Sequence, residues 1–425
     1  MEYKVIHDPL HGTVKLEGIF LDLLETPELQ RLHHIRQLGL AYLVFPGANH
    51  TRFSHSLGTY YVASQIAHRL QLPAEDQTLV NVAALLHDIG HGPFSHTLEF
   101  AYYSRFKKSH TDLTSQLIRG ENQLQGRDNV RVPSLSDILE TYDVEEKNVI
   151  QLIQGMKTPY GWTLTPWLEG IPAEEPHYLT QIIHGEVDAD QLDYLLRDAY
   201  YTGVAYGIID LPYLLNTLVL TEKTLAIDPK GVEAVEGLLV ARALMFSSVY
   251  YHHAVRISEI MLTRAAEETM TKYPHLMSMS DWEFLSHLRT GSAYQRDIIN
   301  RLQYRQLFKR AYVLYANGSA DTESLIELTH PELREEKELI LCRKAGIPEG
   351  YAFIDVPERD ILLSEPRISG GGLPVYTGEF KSLAEYTPVA TALQKKKIPP
   401  WRVMVSTPAR YREAVRKVSE KVIFS

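Results

Sequence analysis

The chain has a single cysteine, Cys342, which excludes an intramolecular disulfide and any zinc site built from several cysteines. That fits a reducing compartment. No apolar run reaches the roughly 18 residues that a membrane span needs, and Met-Glu-Tyr-Lys opens no signal peptide. A soluble cytoplasmic protein without a membrane partner is therefore expected. Positive charge is also scarce: 43 Lys and Arg stand against 53 Asp and Glu, a net charge of −10. Such a balance opposes broad nucleic-acid binding, although a local basic pocket could still hold a small anion. Internal repeats, coiled-coil heptads and low-complexity tails are missing as well.

What is present is a globular composition, 44% hydrophobic and 23% charged over 425 residues, long enough for two domains or one with an appendage. KVIHDPLHGTVKL reads as an extended or hairpin start, with Pro9 and Gly12 as turn formers. Thr26-Pro27 starts a helix whose apolar Leu29, Leu32, Ile35 and Leu38 share a face, until Gly39 and FPGANH break it. Further helices are predicted at Ser56–Leu70, Gln77–Ile89, 180–200, 232–270 and 281–311. A small hairpin is predicted at 219–228, and loops at 120–134 and 155–176. Beyond 312, AYVLYA, ELILCRKA, YAFIDVP and WRVMVSTP read as strands and Tyr411–Val422 as a closing helix, with Gly370-Gly371-Gly372 as a turn.

Chemistry concentrates in two stretches. Seven of the 18 histidines lie between residues 50 and 110, and His87-Asp88 ends the very apolar helix VAALL. Burying that carboxylate without a partner is unfavourable, and either a metal ion or an ordinary His-Asp hydrogen bond would relieve it. In EVDADQLDYLLRD, helical spacing from Asp190 puts Tyr194 and Arg197 on one face. That face reads either as a salt-bridged surface or as a ligand, a phenol and a phosphate clamp. Together, His55, His87, Asp88 and Asp190 would neutralise a divalent cation, leaving coordination positions for water and a phosphate oxygen. Mixed N/O ligation suits Mn, Fe, Ni or Zn better than Ca. His91, His96 and His110 would then be placed for proton transfer.

HTRFSHS, LLHDIGHGPFSH and EVDADQLDYLLRD together resemble the HD-domain phosphohydrolases, closest in look to their deoxynucleoside triphosphate triphosphohydrolase (dNTPase, dGTPase) branch. The likeness runs with few gaps from Lys4 to His55 (KVIHDPLHG, TPELQRL, RQLG, VFPGANHTRFSHS), continues in pieces to about residue 270 and is thin beyond. The expected fold is mainly α. An HD helical core at about 50–200 lies within a phosphohydrolase domain, 1–311, followed by a smaller C-terminal α+β lobe, 312–425.

The resemblance implies one divalent metal ion per subunit (Mn, Fe, Ni, Zn or Mg) on His55, His87, Asp88 and Asp190. It places His91, His96 and His110 near the scissile phosphate and Asp188 beside the metal. Arg52, Tyr194, Arg242 and Tyr250 match contacts to the triphosphate or sugar, and Gln37 and Asp198 match partners of the sugar 3′-hydroxyl. The implied reaction releases triphosphate and a deoxynucleoside from a deoxynucleotide substrate, in a homo-oligomer (dimer or tetramer). Three departures stand out. The family's His-Glu pair reads here His110-Thr111, with Asp112 one place later. Gln191 stands where animal enzymes of the branch carry a phosphate-contacting lysine. At the regulatory guanine-nucleotide site Lys4, Val5 and Gln30 match, but Glu25 replaces an aspartate and His33 an arginine, leaving an allosteric nucleotide open. Two alternatives follow: metal-dependent hydrolysis of another nucleotide phosphoester, or a non-catalytic nucleotide sensor that keeps the fold.

Overall fold

A computed structural model describes the chain apart from residues 1, 122–123, 125–131, 156, 159–160, 163–176, 186, 273, 316–327, 357–372, 390–391, 393–400 and 425. The expected loops at 120–134 and 155–176 fall largely outside the described residues, and the triple-glycine turn wholly so. The described chain packs into two units that alternate in sequence. The first takes Met1–Met245, Tyr273–Phe284 and Arg367–Gln394; the second takes Phe246–Lys272, Leu285–Pro366 and Lys395–Ser425. The protein is mainly helical, with small sheets in each unit.

In the first unit, β1 (Tyr3–Asp8) and β2 (Gly12–Glu17) form an antiparallel hairpin with Asp8 opposite Gly12. Helix α1 (Ile19–Leu24) precedes α2 (Pro27–Arg31), which stops there rather than running on to Leu38 as expected. The reason is long-range pairing. Gln37 N–H donates to His50 O and Arg52 N–H to Ile35 O, which holds this stretch extended. Helix α3 spans Arg52–Arg69, with the Thr51 hydroxyl accepting from Ser54 N–H as its cap. Helices α4 (Ala74–Leu86), α5 (His96–Phe106), α6 (His110–Ile118), α7 (Leu135–Thr141) and α8 (Glu146–Gln154) follow. After the two-residue strands β3 (Lys157–Thr158) and β4 (Gly161–Trp162) come α9 (His177–Ile183), α10 (Ala189–Thr202) and α11 (Leu211–Thr217). The expected hairpin is β5 (Leu218–Thr221) with β6 (Thr224–Ile227), leading into α12 (Val232–Met245).

Helix α3 packs against both α4 and α10. Val62, Ala63 and Ile66 meet a core that includes Val82, Leu85, Leu192 and Leu195, all essentially inaccessible. Burying such aliphatic side chains stabilises by about 1.5–3 kcal/mol each, which is what keeps three helix ends in fixed register around the site. The segment Tyr273–Phe284 returns to this unit. There Asp281 accepts the backbone N–H groups of Arg36 and Phe94.

In the second unit, strands Lys309–Tyr315, Trp401–Thr407 and Phe353–Asp355 form an antiparallel sheet with Trp401–Thr407 in the middle. Leu341, Cys342, Ile354, Val403, Val405, Val415 and Val422 form its core. The expected strand ELILCRKA is instead the end of a helix, Pro331–Ala345. Pro331 at the first position, a run of Glu, Lys and Arg, and left-handed Gly346 at the end are helix signals that outweigh four apolar residues in a row. The expected helix 232–270 is two helices separated by the π-helical turn Phe246–Tyr250. Likewise 281–311 is Asp281–Arg289, Ala293–Gln303 and the start of a strand. Among the described residues no helix is long and apolar enough to cross a membrane.

Candidate metal centre and active site

Three helix ends deliver the histidine–aspartate set. His55 lies one turn into α3, His87 caps the C-terminus of α4 with Asp88 following, and Asp190 sits in the first turn of α10. His55 Nε2 is 2.8 Å from Asp190 Oδ1 and 3.8 Å from Asp88 Oδ2. His87 Nε2 is 3.3 Å from Asp88 Oδ1 and 3.7 Å from Asp190 Oδ1. One donor atom each from His55, His87 and Asp88 falls within 4.8 Å of the others, the span expected of atoms sharing one cation.

The donor set fits a divalent ion on a second count. His87 Nδ1–H donates to Ala84 O at 2.8 Å, so the lone pair is on Nε2, which is buried and among the described residues has no hydrogen-bond partner. His55 Nδ1–H donates to Asp193, leaving its Nε2 lone pair toward the same spot. Burial alone would lower both imidazoles. Asp190 and Asp193 outweigh it at His55, which rises to about 10, and Asp88 and Asp190 do so at His87. Burial would raise Asp88, but Arg52, His87 and His91 hold it well below the usual range. His55 and His87 do the same for Asp190. The site thus strongly favours a positive charge among its carboxylates.

Around this set stand groups suited to phosphoryl chemistry. Arg52 is buried, donating from Nε to Ser95 Oγ and from Nη1 to Asp88 Oδ2, while buried Nη2 has no hydrogen-bond partner among the described residues. His91 and His110 stack with centroids 3.9 Å apart. Burial, Arg52 and His110 push the His91 ring well below its usual range. For His110, burial is overcome by Glu99, whose carboxylate accepts from both Nδ1–H and the backbone N–H, and the ring is raised. Stacked rings with proton affinities driven apart are suited to acid and base duties at one centre. His91, Glu99 and His110 also form a second cluster of potential metal donors.

The turn carrying His87, Asp88 and His91 is held from both sides. Arg31, singled out by nothing in the sequence, is half-buried and donates to Ile89 O, His91 O and Met279 O at 3.0, 2.6 and 3.0 Å. Helix α6 closes the other side: Gly90 N–H donates to Thr114 Oγ1, and a Cβ at Gly90 would lie 2.2 Å from His110 O.

The remaining candidates are placed as follows. Asp188 caps α10, accepting from Gly185 N–H and Gln191 N–H. Gln191 Nε2 donates to Gly185 O and Asp188, and its Oε1 accepts from Arg242 Nη1 at 3.0 Å. Tyr194 lies one turn after Asp190 on α10. Asp198 accepts from His50 Nε2–H at 2.7 Å, with His50 stacked on Tyr201. Gln37 Oε1 is buried and has no hydrogen-bond partner among the described residues. His96 opens α5, but its side chain lies outside the described residues. Tyr250 belongs to the second unit, at the end of the π-helical turn. Asp112 is no partner of His110; it completes the capping box of α6 with Ser109. Besides Arg31, Glu99 and Asp193 are residues that sequence reasoning missed. Their neighbours in the chain give no sign of which histidine they reach.

Known proteins resemble this chain along most of its length. The family model described as HD domain matches residues 52–198, and the one described as HD associated region matches 209–424. An uncharacterized protein of Methanocaldococcus jannaschii is 35% identical, over 98% of this chain and 81% of its own. The deoxynucleoside triphosphate triphosphohydrolase SAMHD1 of Homo sapiens is 27% identical over 72% of this chain and 54% of its own. A crystal structure of a hypothetical protein from Aquifex aeolicus superposes with a TM-score of 0.74 at 28% identity, covering 98% of this chain and 99% of that one.

Proposed function

This chain belongs to the HD-domain family of phosphohydrolases, and from that premise we propose that it hydrolyses deoxynucleoside triphosphates to deoxynucleoside and triphosphate. The observation that carries the proposal is the convergence of His55, His87, Asp88 and Asp190 beside an unpartnered Arg52 N–H and a stacked His91–His110 pair. A divalent cation held by the four would lower the pKa of a water and polarise a phosphoryl oxygen.

The chain's own residues divide the rest of the work. Arg52 Nη2 donates to an α-phosphoryl oxygen as charge grows there. Neutral His91 accepts a proton from the attacking water, and His110, held by Glu99, gives one to the departing 5′-oxygen. The P–O5′ bond breaks as the new P–O bond forms, so protons and electrons balance. Gln37 and Asp198 hydrogen-bond the sugar 3′-hydroxyl, while Tyr194 and Arg242 contact the triphosphate or sugar. His96 assists the leaving oxygen, and Asp188 holds the first turn of α10 under Asp190. A cytoplasmic homo-oligomer and a nucleotide activator belong to the same proposal.

One observation favours a second reading. Gln191 has its amide tied to Asp188, Gly185 and Arg242, so the residue at that position brings no charge of its own to a long phosphate chain. That suits a nucleoside monophosphate or another phosphoester. Purified protein with Mn²⁺ and each of the four dNTPs, with and without GTP or dATP, separates the two. Deoxynucleoside plus tripolyphosphate is the expected product. Inert dNTPs with turnover of a monophosphate or cyclic nucleotide would overturn the first reading.

A further inference from the structure

The motif HDPLHG of the N-terminal hairpin has no part in the chemistry above, yet a continuous buried network runs from it to a proposed metal ligand. Asp8 Oδ1 accepts the N–H groups of Leu10 and His11 at 2.9 and 3.0 Å, fixing the turn after β1. Its Oδ2 accepts from Arg197 Nη1 at 2.8 Å. Arg197 in turn grips Asp193 with two bonds, Nε to Oδ2 at 2.8 Å and Nη2 to Oδ1 at 2.9 Å. Asp193 accepts from two imidazoles as well, His11 Nε2–H at 2.6 Å and His55 Nδ1–H at 2.8 Å. None of these five side chains is more than 4% exposed.

Helix α3 is shaped to receive the network. Gly58 lies one turn beyond His55, and a Cβ there would fall 2.0 Å from Asp193 Oδ1 and 2.4 Å from Arg197 Nη2. Only glycine leaves that slot open. His11 is held by stacking on Tyr61, also on α3, with centroids 4.7 Å apart.

An imidazole can ligate through a given nitrogen only when the proton sits on the other one. A carboxylate at Nδ1 settles that choice because it only accepts, and it also fixes the ring plane. An amide in its place could turn its N–H toward Nδ1 and reverse the tautomer. We propose that Asp193 is a positioning residue for His55, and that the N-terminal hairpin, through Asp8 and His11, is a working part of the metal centre. The proposal rests on the metal reading above, but not on the identity of the substrate. Removing an outer partner of a metal-bound histidine weakens metal binding by about 10- to 100-fold.

The test is a Mn²⁺ titration of the full-length apo-protein by calorimetry. Apo-state melting reports on the fold, and the visible spectrum of the Co²⁺ form reports on ligand geometry. Asp193→Asn is expected to weaken Mn²⁺ by about 10- to 100-fold and to alter the Co²⁺ bands. His11→Gln, which leaves the Asp193–Arg197 pair whole, is expected to do the same at the low end of that range with a near wild-type melt. If Asp193→Asn does not fold, His11→Gln alone decides. Wild-type Mn²⁺ affinity and Co²⁺ spectrum in either folded variant overturn the proposal. Wild-type protein that binds Mn²⁺ but turns over no dNTP would sink the substrate assignment alone. Wild-type protein that binds no metal would sink the metal reading and this proposal with it.

Discussion

Replacing Gly90 by alanine tests whether the separation between the His87–His91 turn and helix α6 matters to catalysis. The added methyl would meet His110 O at 2.2 Å, Thr114 N at 2.4 Å and Thr114 Oγ1 at 2.6 Å. Two of those atoms are backbone, so rotating a side chain cannot relieve the clash and α6 must retreat by about 1 Å. Overpacking of this kind costs about 1–3 kcal/mol. Alanine returns about 0.4–1 kcal/mol by restricting the unfolded chain. A net loss of about 1–2 kcal/mol is expected in urea unfolding with an unchanged m-value. Because His110 rides on α6 while His91 stays with the turn, the shift also misplaces the proton donor. A displacement near 1 Å can lower turnover about 100-fold. Gly237, exposed in α12 with nothing within 4 Å of a Cβ, is the control; its alanine variant should gain about 0.5–1 kcal/mol and keep full activity. Gly90→Ala protein as stable and as active as wild type would refute the close-packing argument.

The other predictions concern partners, protons and the ion. Glu99→Gln should lower kcat in a dNTP assay while leaving the melt near wild type. Asp112→Ala should cost about 1 kcal/mol of stability by loss of a cap and leave kcat alone. Burial, Arg310, His252 and Lys309 push His253 down to about 4. Its ordinary value is 6.5, so the unfolded state takes up the proton first, and stability is lost as pH falls from 6.5 toward 4. A melting series over that window should therefore show a shallower decline in His253→Gln than in wild type. Dialysis against EDTA should abolish hydrolysis and lower the melting temperature, with Mn²⁺ restoring both. Metal at about 100 times its Kd adds about 2.7 kcal/mol of stability.

Much of the site was legible because its chemistry is written in short local strings. LLHDIGH places His87, Asp88 and His91 at one helix end, and DADQLDYLLRD places Asp190 on the first turn of another. The N-terminal hairpin was legible from its turn formers, and three of the four runs beyond 312 (AYVLYA, YAFIDVP and WRVMVSTP) from their strand-forming residues. The interior partners were not. Glu99 and Asp193 look like any exposed helical carboxylate in sequence, and only packing turns them toward His110 and toward His55 and His11. Helix ends misled where distant pairing intervened. Leu32, Ile35 and Leu38 keep helical spacing, yet the backbone of 35–37 bonds to 50–52 instead. ELILCRKA misled in the opposite sense: a short apolar run was weighed above the charged helix formers before it and the glycine after it.

The alternation of the two units along the chain constrains how the protein can be made. Asp281, which clamps Phe94 and Arg36, and strand Val375–Tyr376, which extends the sheet beside β6, are both translated after the first segment of the second unit. The first unit therefore gains these two pieces only after part of the second has been made, so its last contacts form late in synthesis.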